Sequence, residues 1–213
     1  MTLYKNKYRV ESARLQNWDY GWNGKYFITI VTRNREHYFG EIKNNKKMVL
    51  SEIGKIAEKY WFEIPTHVSF AILDAFIVMP NHIHGIIIID KKQIGNNINN
   101  NLMDDTTHDC DHYCRDKACL VSTPHHPSTP VTQSNDHLSP GQKRFRNPGK
   151  NNISSIIGSY KSVVSRISHK INPNFDWHTR FHDHIICNDN EFYRIRNYII
   201  NNHKNWMDDK FYK

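Results

Sequence analysis

His82 and His84 stand two residues apart in Val78-Met79-Pro80-Asn81-His82-Ile83-His84-Gly85, directly ahead of four isoleucines, Ile86 to Ile89. Pro80-Asn81 is a turn signal, and the β-branched run after it, which ends at Asp90, reads as a buried strand. Side chains alternate along a strand, so His82, His84, Ile86 and Ile88 share one face, and Ile83, Ile87 and Ile89 share the other. Imidazoles at i and i+2 sit roughly 6.5–7 Å apart at their Cα atoms, close enough for both rings to converge on one divalent cation. The plainer alternative is a pair of core histidines satisfied by hydrogen bonds, since unpaired polar groups are costly among isoleucines.

The flanking elements must hold that strand in place. Lys25 to Arg33 alternates Tyr26, Ile28 and Ile30 against Phe27, Thr29 and Val31, apolar on both faces as a central strand would be. Arg33, Arg35 and His37 follow it, where a strand end could meet a phosphate backbone or simply a solvated loop. Ser51 can cap a helix to about Phe62 whose buried face is Ile53, Ile56, Ala57, Tyr60 and Trp61. Ser69 to Met79 forms a second strand that turns through Pro80-Asn81 into the histidine strand as an antiparallel hairpin. Ile153 to Lys170 reads as a helix with one apolar stripe, Ile153, Ile156, Ile157, Tyr160, Val163, Val164 and Ile167. Phe175 to Cys187 reads as a further strand carrying His178, His182 and His184. Asn188 then caps a last helix, with Glu191 as its capping-box partner, continuing through Arg194, Arg196 and Tyr198 to about Trp206.

Between Lys91 and Asn152 the periodicity collapses into an Asn-rich and then a Ser-, Thr- and Pro-rich stretch, expected to be a flexible polar insertion. It divides one domain into an N-terminal part, residues 1–90, and a C-terminal part, residues 153–213. The insertion contains His108, Cys110, His112, Cys114 and Cys119, soft ligands at spacings unlike paired zinc knuckles, so adventitious content outweighs a structural zinc. It closes on Lys143, Arg144 and Arg146, candidate phosphate contacts.

The chain has 213 residues, a net charge of +8 and 11 Tyr, 10 Phe and 5 Trp. Cations neutralise phosphates and aromatic rings stack on unpaired bases, so the composition favours a polyanionic partner. No apolar run approaches the roughly 20 residues of a membrane span. A polar, basic start and four cysteines read as reduced thiols point to the cytoplasm.

Four segments in order resemble one known family: Tyr26-Phe27-Ile28-Thr29-Ile30 running into Arg33-Asn34-Arg35-Glu36, the Met79-Pro80-Asn81-His82-Ile83-His84-Gly85 element, Ile157-Gly158-Ser159-Tyr160-Lys161-Ser162, and Trp177 to Trp206. Together they resemble the single-tyrosine HUH transposases, most of all the group associated with repetitive extragenic palindromes. The resemblance implies an α+β, ferredoxin-like domain with a central antiparallel sheet and flanking helices. It implies cleavage and rejoining of single-stranded or hairpin DNA through a 5′-phosphotyrosine. It also implies a Mg²⁺ or Mn²⁺ held by His82 and His84, and Tyr160 as nucleophile. Lys161 beside that tyrosine joins Arg33, Arg35, Lys143, Arg144 and Arg146 as candidate DNA contacts. The family often supplies a third ligand one helical turn after the tyrosine, where this chain has Val164; His184 or His182 would then have to serve. Tyr193 and Tyr198 on the last helix stand as the next candidates for the nucleophile. Two other readings remain open, a metal-dependent phosphohydrolase that uses water and a nucleic-acid-binding protein without chemistry. The chain is expected to act as a monomer or homodimer.

Overall fold

The computed structural model describes residues 18–43, 47–91 and 151–212. Four strands form the main sheet: β1 (Gly24–Val31), β4 (Ala71–Val78), β5 (His82–Ile89) and β6 (His182–Ile186). Their order is β4-β5-β1-β6, with every neighbouring pair antiparallel. Helix α1 (Glu52–Phe62) lies between β1 and β4 in the chain, and α3 (Ile153–Ser168) lies between β5 and β6. This βαββαβ order with β5 and β1 in the middle is the ferredoxin-like arrangement expected from the sequence. Additions to it are a small ribbon of β2 (Gly40–Ile42) and β3 (Met48–Leu50), a one-turn α2 (Ile64–His67), and a last helix α4 (Asp189–Asn201). A 3₁₀ segment, Asn202–Asp208, continues from α4.

The two faces of the sheet have separate cores. Ile83, Ile87 and Ile89 of β5, with Tyr26, Ile28 and Ile30 of β1, bury against Ala57 and Trp61 of α1 and Ile157, Tyr160 and Val164 of α3. On the reverse face Ile86 and Ile186 bury against Ile195 and Ile199 of α4, with Phe27, Ile77 and Ile88 at the edge. Each fully buried Ile is worth about 1.5–3 kcal/mol, so the two layers together fix the register of β5.

Local signals explain the helix ends. Ser51 Oγ accepts from Gly54 N at 3.0 Å and donates to Tyr38 O at 2.7 Å, starting α1 as expected. Asn152 and Ser155 cap α3 reciprocally, a capping box the sequence reading did not identify. At α4, Asn188 Oδ1 accepts from Glu191 N at 2.9 Å, but the Glu191 carboxylate goes elsewhere, to Cys187 N and His184 Nε2. Half of the expected box is therefore present. The expected strand over 175–187 is regular only from His182 to Ile186. Before it, Phe175 and Trp177 turn their rings into the core against Phe39, 6.0 and 5.3 Å between centroids, and only Thr32–Trp177 forms a bridge.

No helix among the described residues is long and apolar enough to cross a membrane. The insertion, its His/Cys cluster at 108–119, and Lys143, Arg144 and Arg146 lie outside the described residues.

Candidate metal and tyrosine site

β5 places His82 and His84 on the α4 face, both essentially inaccessible at 0% and 1% exposure. Their ring centroids are 4.6 Å apart. Neighbouring side chains fix both rings. Asn81 Nδ2 donates to Phe211 O at 2.9 Å and to Arg35 O at 3.2 Å, which leaves its Oδ1 facing His82 Nδ1 at 2.8 Å. An amide oxygen only accepts, so His82 carries its proton on Nδ1 and presents a bare Nε2. That Nε2 is buried and has no hydrogen-bond partner. His84 Nδ1 is 2.8 Å from Thr29 Oγ1 on β1, the residue directly opposite it in the sheet. Phe27 stacks on His84 at 5.2 Å, and Phe211 lies 4.6 Å from His82, so apolar rings close the surroundings.

Burial holds both imidazoles neutral. His82 is lowered to about 3 by burial and by the charge of Lys210. His84 is held well below the ordinary value by burial first, then by His82. Two neutral imidazoles with oriented rings are what a cation requires of histidine ligands.

The segment after α4 completes the cluster. One ligand atom each from His82, His84 and Asp209 lie within 4.8 Å of one another. Asp209 Oδ1 accepts from Phe211 N at 2.7 Å, and its Oδ2 is 3.3 Å from Asn202 Nδ2. The other end of that amide, Asn202 Oδ1, is buried without a partner. A bare imidazole nitrogen and a bare amide oxygen beside a carboxylate make a mixed nitrogen and oxygen donor set suited to a hard or borderline divalent ion.

Tyr198, on the same helix one turn before Asn202, faces this cluster. Its Oη is 3.4 Å from His84 Nε2 and 3.4 Å from Asp209 Oδ2. The side chain is partly open, at 44% exposure, and burial together with Asp209 raises its pKa. Tyr160 is elsewhere. It points into the layer between α1 and α3, donates to Ala57 O at 2.9 Å and packs edge-on against Trp61. Burial pushes its pKa well up. The sheet separates it from the histidines, so Tyr160, the nucleophile that the resemblance implies, does not stand beside His82 and His84.

The other expected residues divide between the two faces. His184 Nε2 is 2.9 Å from Glu191 Oε1, tied to α4 rather than grouped with the histidine pair. His182 lies on the same face as His84, opposite Thr29, but is exposed. Arg35 reaches toward the site, with Nη1 3.2 Å from Lys210 O and its guanidinium 5.5 Å from the Phe211 ring. It holds a φ of 60°, next to Asn34 at 55°, two consecutive left-handed residues that each cost about a kcal/mol or more without glycine. Arg33 pairs with Asp176 at 2.9 Å, and Lys161 donates to His178 O at 2.7 Å, both beside α3. Tyr193 is exposed on α4. Asn81, Thr29, Asn202 and Asp209 were not singled out as site residues from sequence. One signal could have found Asn202: counted from Tyr198 rather than Tyr160, the polar residue one turn on is Asn202.

Comparison with known proteins places this geometry in context. No family model matches the chain. An uncharacterised protein of Haemophilus influenzae is 29% identical over 202 residues, 94% of this chain and 92% of that protein. Among solved structures, a REP-associated tyrosine transposase bound to a REP hairpin is similar at 14% identity and a TM-score of 0.44, over 92% of this chain and 72% of the other. A Deinococcus radiodurans protein described as a candidate transposase is similar at 12% identity and a TM-score of 0.39, over 92% of this chain and 98% of its own.

Proposed function

We propose that this protein cleaves and rejoins single-stranded DNA, with Tyr198 as the nucleophile and His82, His84 and residues after α4 holding a divalent metal. The observation that carries the reading is the approach of Tyr198 Oη to 3.4 Å from His84 Nε2 on the histidine face of the sheet. His82 Nε2, His84 Nε2 and Asn202 Oδ1 would hold the ion, with Asp209 beside them. Mg²⁺ or Mn²⁺ suits that donor set. The ion, when bound, neutralises charge on the scissile phosphate and lowers the barrier to attack.

The chain's own residues supply the rest. Asn81 and Thr29 keep both imidazoles oriented before any substrate arrives. Attack joins Tyr198 Oη to phosphorus and breaks the bond from phosphorus to the 3′ oxygen, which takes up a proton as the phenol loses one. The product is a 5′-phosphotyrosine and a free 3′-hydroxyl, so the phosphodiester energy is retained for rejoining. Arg35 stands beside the site as a phosphate contact, and the net charge of +8 favours a polyanionic strand. The pairing of β6 with β1 supports residues 1–90 and 153–213 as one domain interrupted by an insertion.

The test is trapping. Incubation with a single-stranded hairpin oligonucleotide and Mn²⁺ gives a denaturation-resistant protein–DNA adduct in the wild type and in Tyr160→Phe, and none in Tyr198→Phe. Cleavage without any adduct would mean that water attacks and would overturn the reading.

A further inference from the structure

A cavity of about 790 Å³ lies away from the histidines, between α3 and the segment that precedes β6. Its wall includes Gly158, Lys161 and Ser162 of α3, Arg33 after β1, and Trp177 and His178 before β6. The space beside Gly158 is open, since a Cβ there would meet no atom within 4 Å. A second hollow continues it along α3 past Ser162 to Arg166.

Two features of this cavity point to a ligand. Its volume lies within the roughly 300–1,000 Å³ range of small-molecule and cofactor sites. Its lining also carries charge, the cations Lys161 and Arg33 and the carboxylate of Asp176 that pairs with Arg33. Lys161 Nζ donates to His178 O at 2.7 Å and more weakly to Thr179 O at 3.4 Å, and an ammonium has a third proton to give. Arg33 has its side chain 67% exposed, so its guanidinium keeps donors for solvent beyond the Asp176 contact.

Sheet register connects the cavity to the histidines. Val31 pairs with His82 across β1 and β5, and His178 N donates to Val31 O at 2.8 Å on the other side of β1. The cavity's edge is thus two strand spacings, roughly 10 Å, from His82. A strand held at the histidines would have to round the end of β1, from the α4 face to the α3 side, to reach this opening.

We propose that this cavity receives one unpaired nucleotide of the DNA strand held at the histidine site, its phosphate on Lys161 and Arg33 and its base inside. The inference rests on the single-strand reading above and adds a place where sequence can be sensed outside the cleavage site.

The test uses the whole protein in a chelator, so that binding is read without cleavage. The probe is a pool of random-sequence single-stranded DNA carrying 5-bromodeoxyuridine for thymidine, followed by fluorescence anisotropy and by photo-crosslinking with peptide mapping. Crosslinks are expected in the peptides spanning 154–165 or 176–181. Gly158→Leu, which projects into the cavity, should weaken binding roughly tenfold, the worth of one lost base contact, and remove those crosslinks. Melting curves check the fold, and if Gly158→Leu fails to fold, Ser162→Leu on the same exposed face replaces it. Unchanged affinity in a folded filling variant, or crosslinks confined to other peptides, would overturn the cavity assignment. A matched RNA pool that outcompetes the DNA would overturn it as well. If the cavity fails while the Tyr198 adduct still forms, only this inference falls. If the wild type binds no single-stranded DNA, the proposed function falls with it.

Discussion

Tyr198 Oη and His84 Nε2 approach to 3.4 Å because α4 lies across the face of β5 that carries both histidines. The contact links the last helix of the chain to the middle of the sheet. Asp209 Oδ2 is equally near the hydroxyl, and burial first, then Asp209, raises the phenol above its ordinary pKa. A nucleophile in that state gains from a nearby cation that offsets the carboxylate, which ties its reactivity to whatever the histidines bind.

The two tyrosines respond differently to loss of the hydroxyl. Tyr160→Phe removes a buried hydrogen bond to Ala57 O, costing about 1 kcal/mol in denaturant-unfolding experiments, and leaves the DNA adduct intact. Tyr198→Phe removes two long contacts at a partly open site, with little change in stability and complete loss of the adduct. Adduct formation by Tyr198→Phe would reverse the assignment.

Much of this was legible in the sequence. Alternation over His82–Ile89 gives the strand and which side chains share the histidine face, because a strand period of two admits no ambiguity once one face is buried. The apolar stripe of α3 likewise gives its buried side. What local pattern does not encode is which helix covers which face of the sheet. Tyr160 belongs to a clean apolar stripe, and that stripe serves the α1 layer. Tyr198 follows Arg196 and Asn197, and nothing in that local sequence ties it to the histidines, although its helix is the one over them. Asp209 lies in a segment with no periodicity, and only the chain's return over Phe211 and His82 brings it to the site.

Asn81 controls His82 through its amide. Asn81→Ala releases the proton on Nδ1 and the two carbonyls of Arg35 and Phe211, so His82 no longer presents Nε2 reliably. Loss of such an outer partner typically costs about 10–100-fold in metal affinity. Calorimetric titration with Mn²⁺ measures this, and nitrogen NMR of the histidines reads the tautomer without metal. Wild-type affinity with a mixed tautomer in the variant would show that Asn81 serves only the fold.

Acid should destabilise the metal-free protein through these histidines. His82 takes up its proton near 6.5 when unfolded but only at about 3 when folded. Between those values the unfolded chain binds more protons, so stability is fully present above pH 6.5 and falls as pH drops toward 3. One such group contributes a slope of up to about 1.4 kcal/mol per pH unit. Urea unfolding in a chelator from neutral pH to about pH 4 should show a shallower slope for His82→Gln than for the wild type. Parallel slopes would mean that His82 is protonated in the folded protein.

Gly85, the residue after His84, explains how the two faces of β5 are coupled. Its missing side chain points to the face away from the metal cluster, where a Cβ would lie 2.2 Å from Trp61 Cζ2. Trp61 is fully buried, stacked at 4.8 Å on Phe76 and edge-on at 5.4 Å to Tyr160, so the indole has nowhere to retreat. A glycine within a strand commonly marks such a close approach. Gly85→Ala must push either the indole or β5 itself, costing about 1–3 kcal/mol or more by overpacking. If β5 moves, the rings of His82 and His84 move with it, and metal affinity falls although no ligand has been touched. Gly85→Ala together with Trp61→Phe, which shortens the ring, should recover part of both losses. A fully stable Gly85→Ala with wild-type metal binding would show that the strand and indole have slack the packing does not suggest.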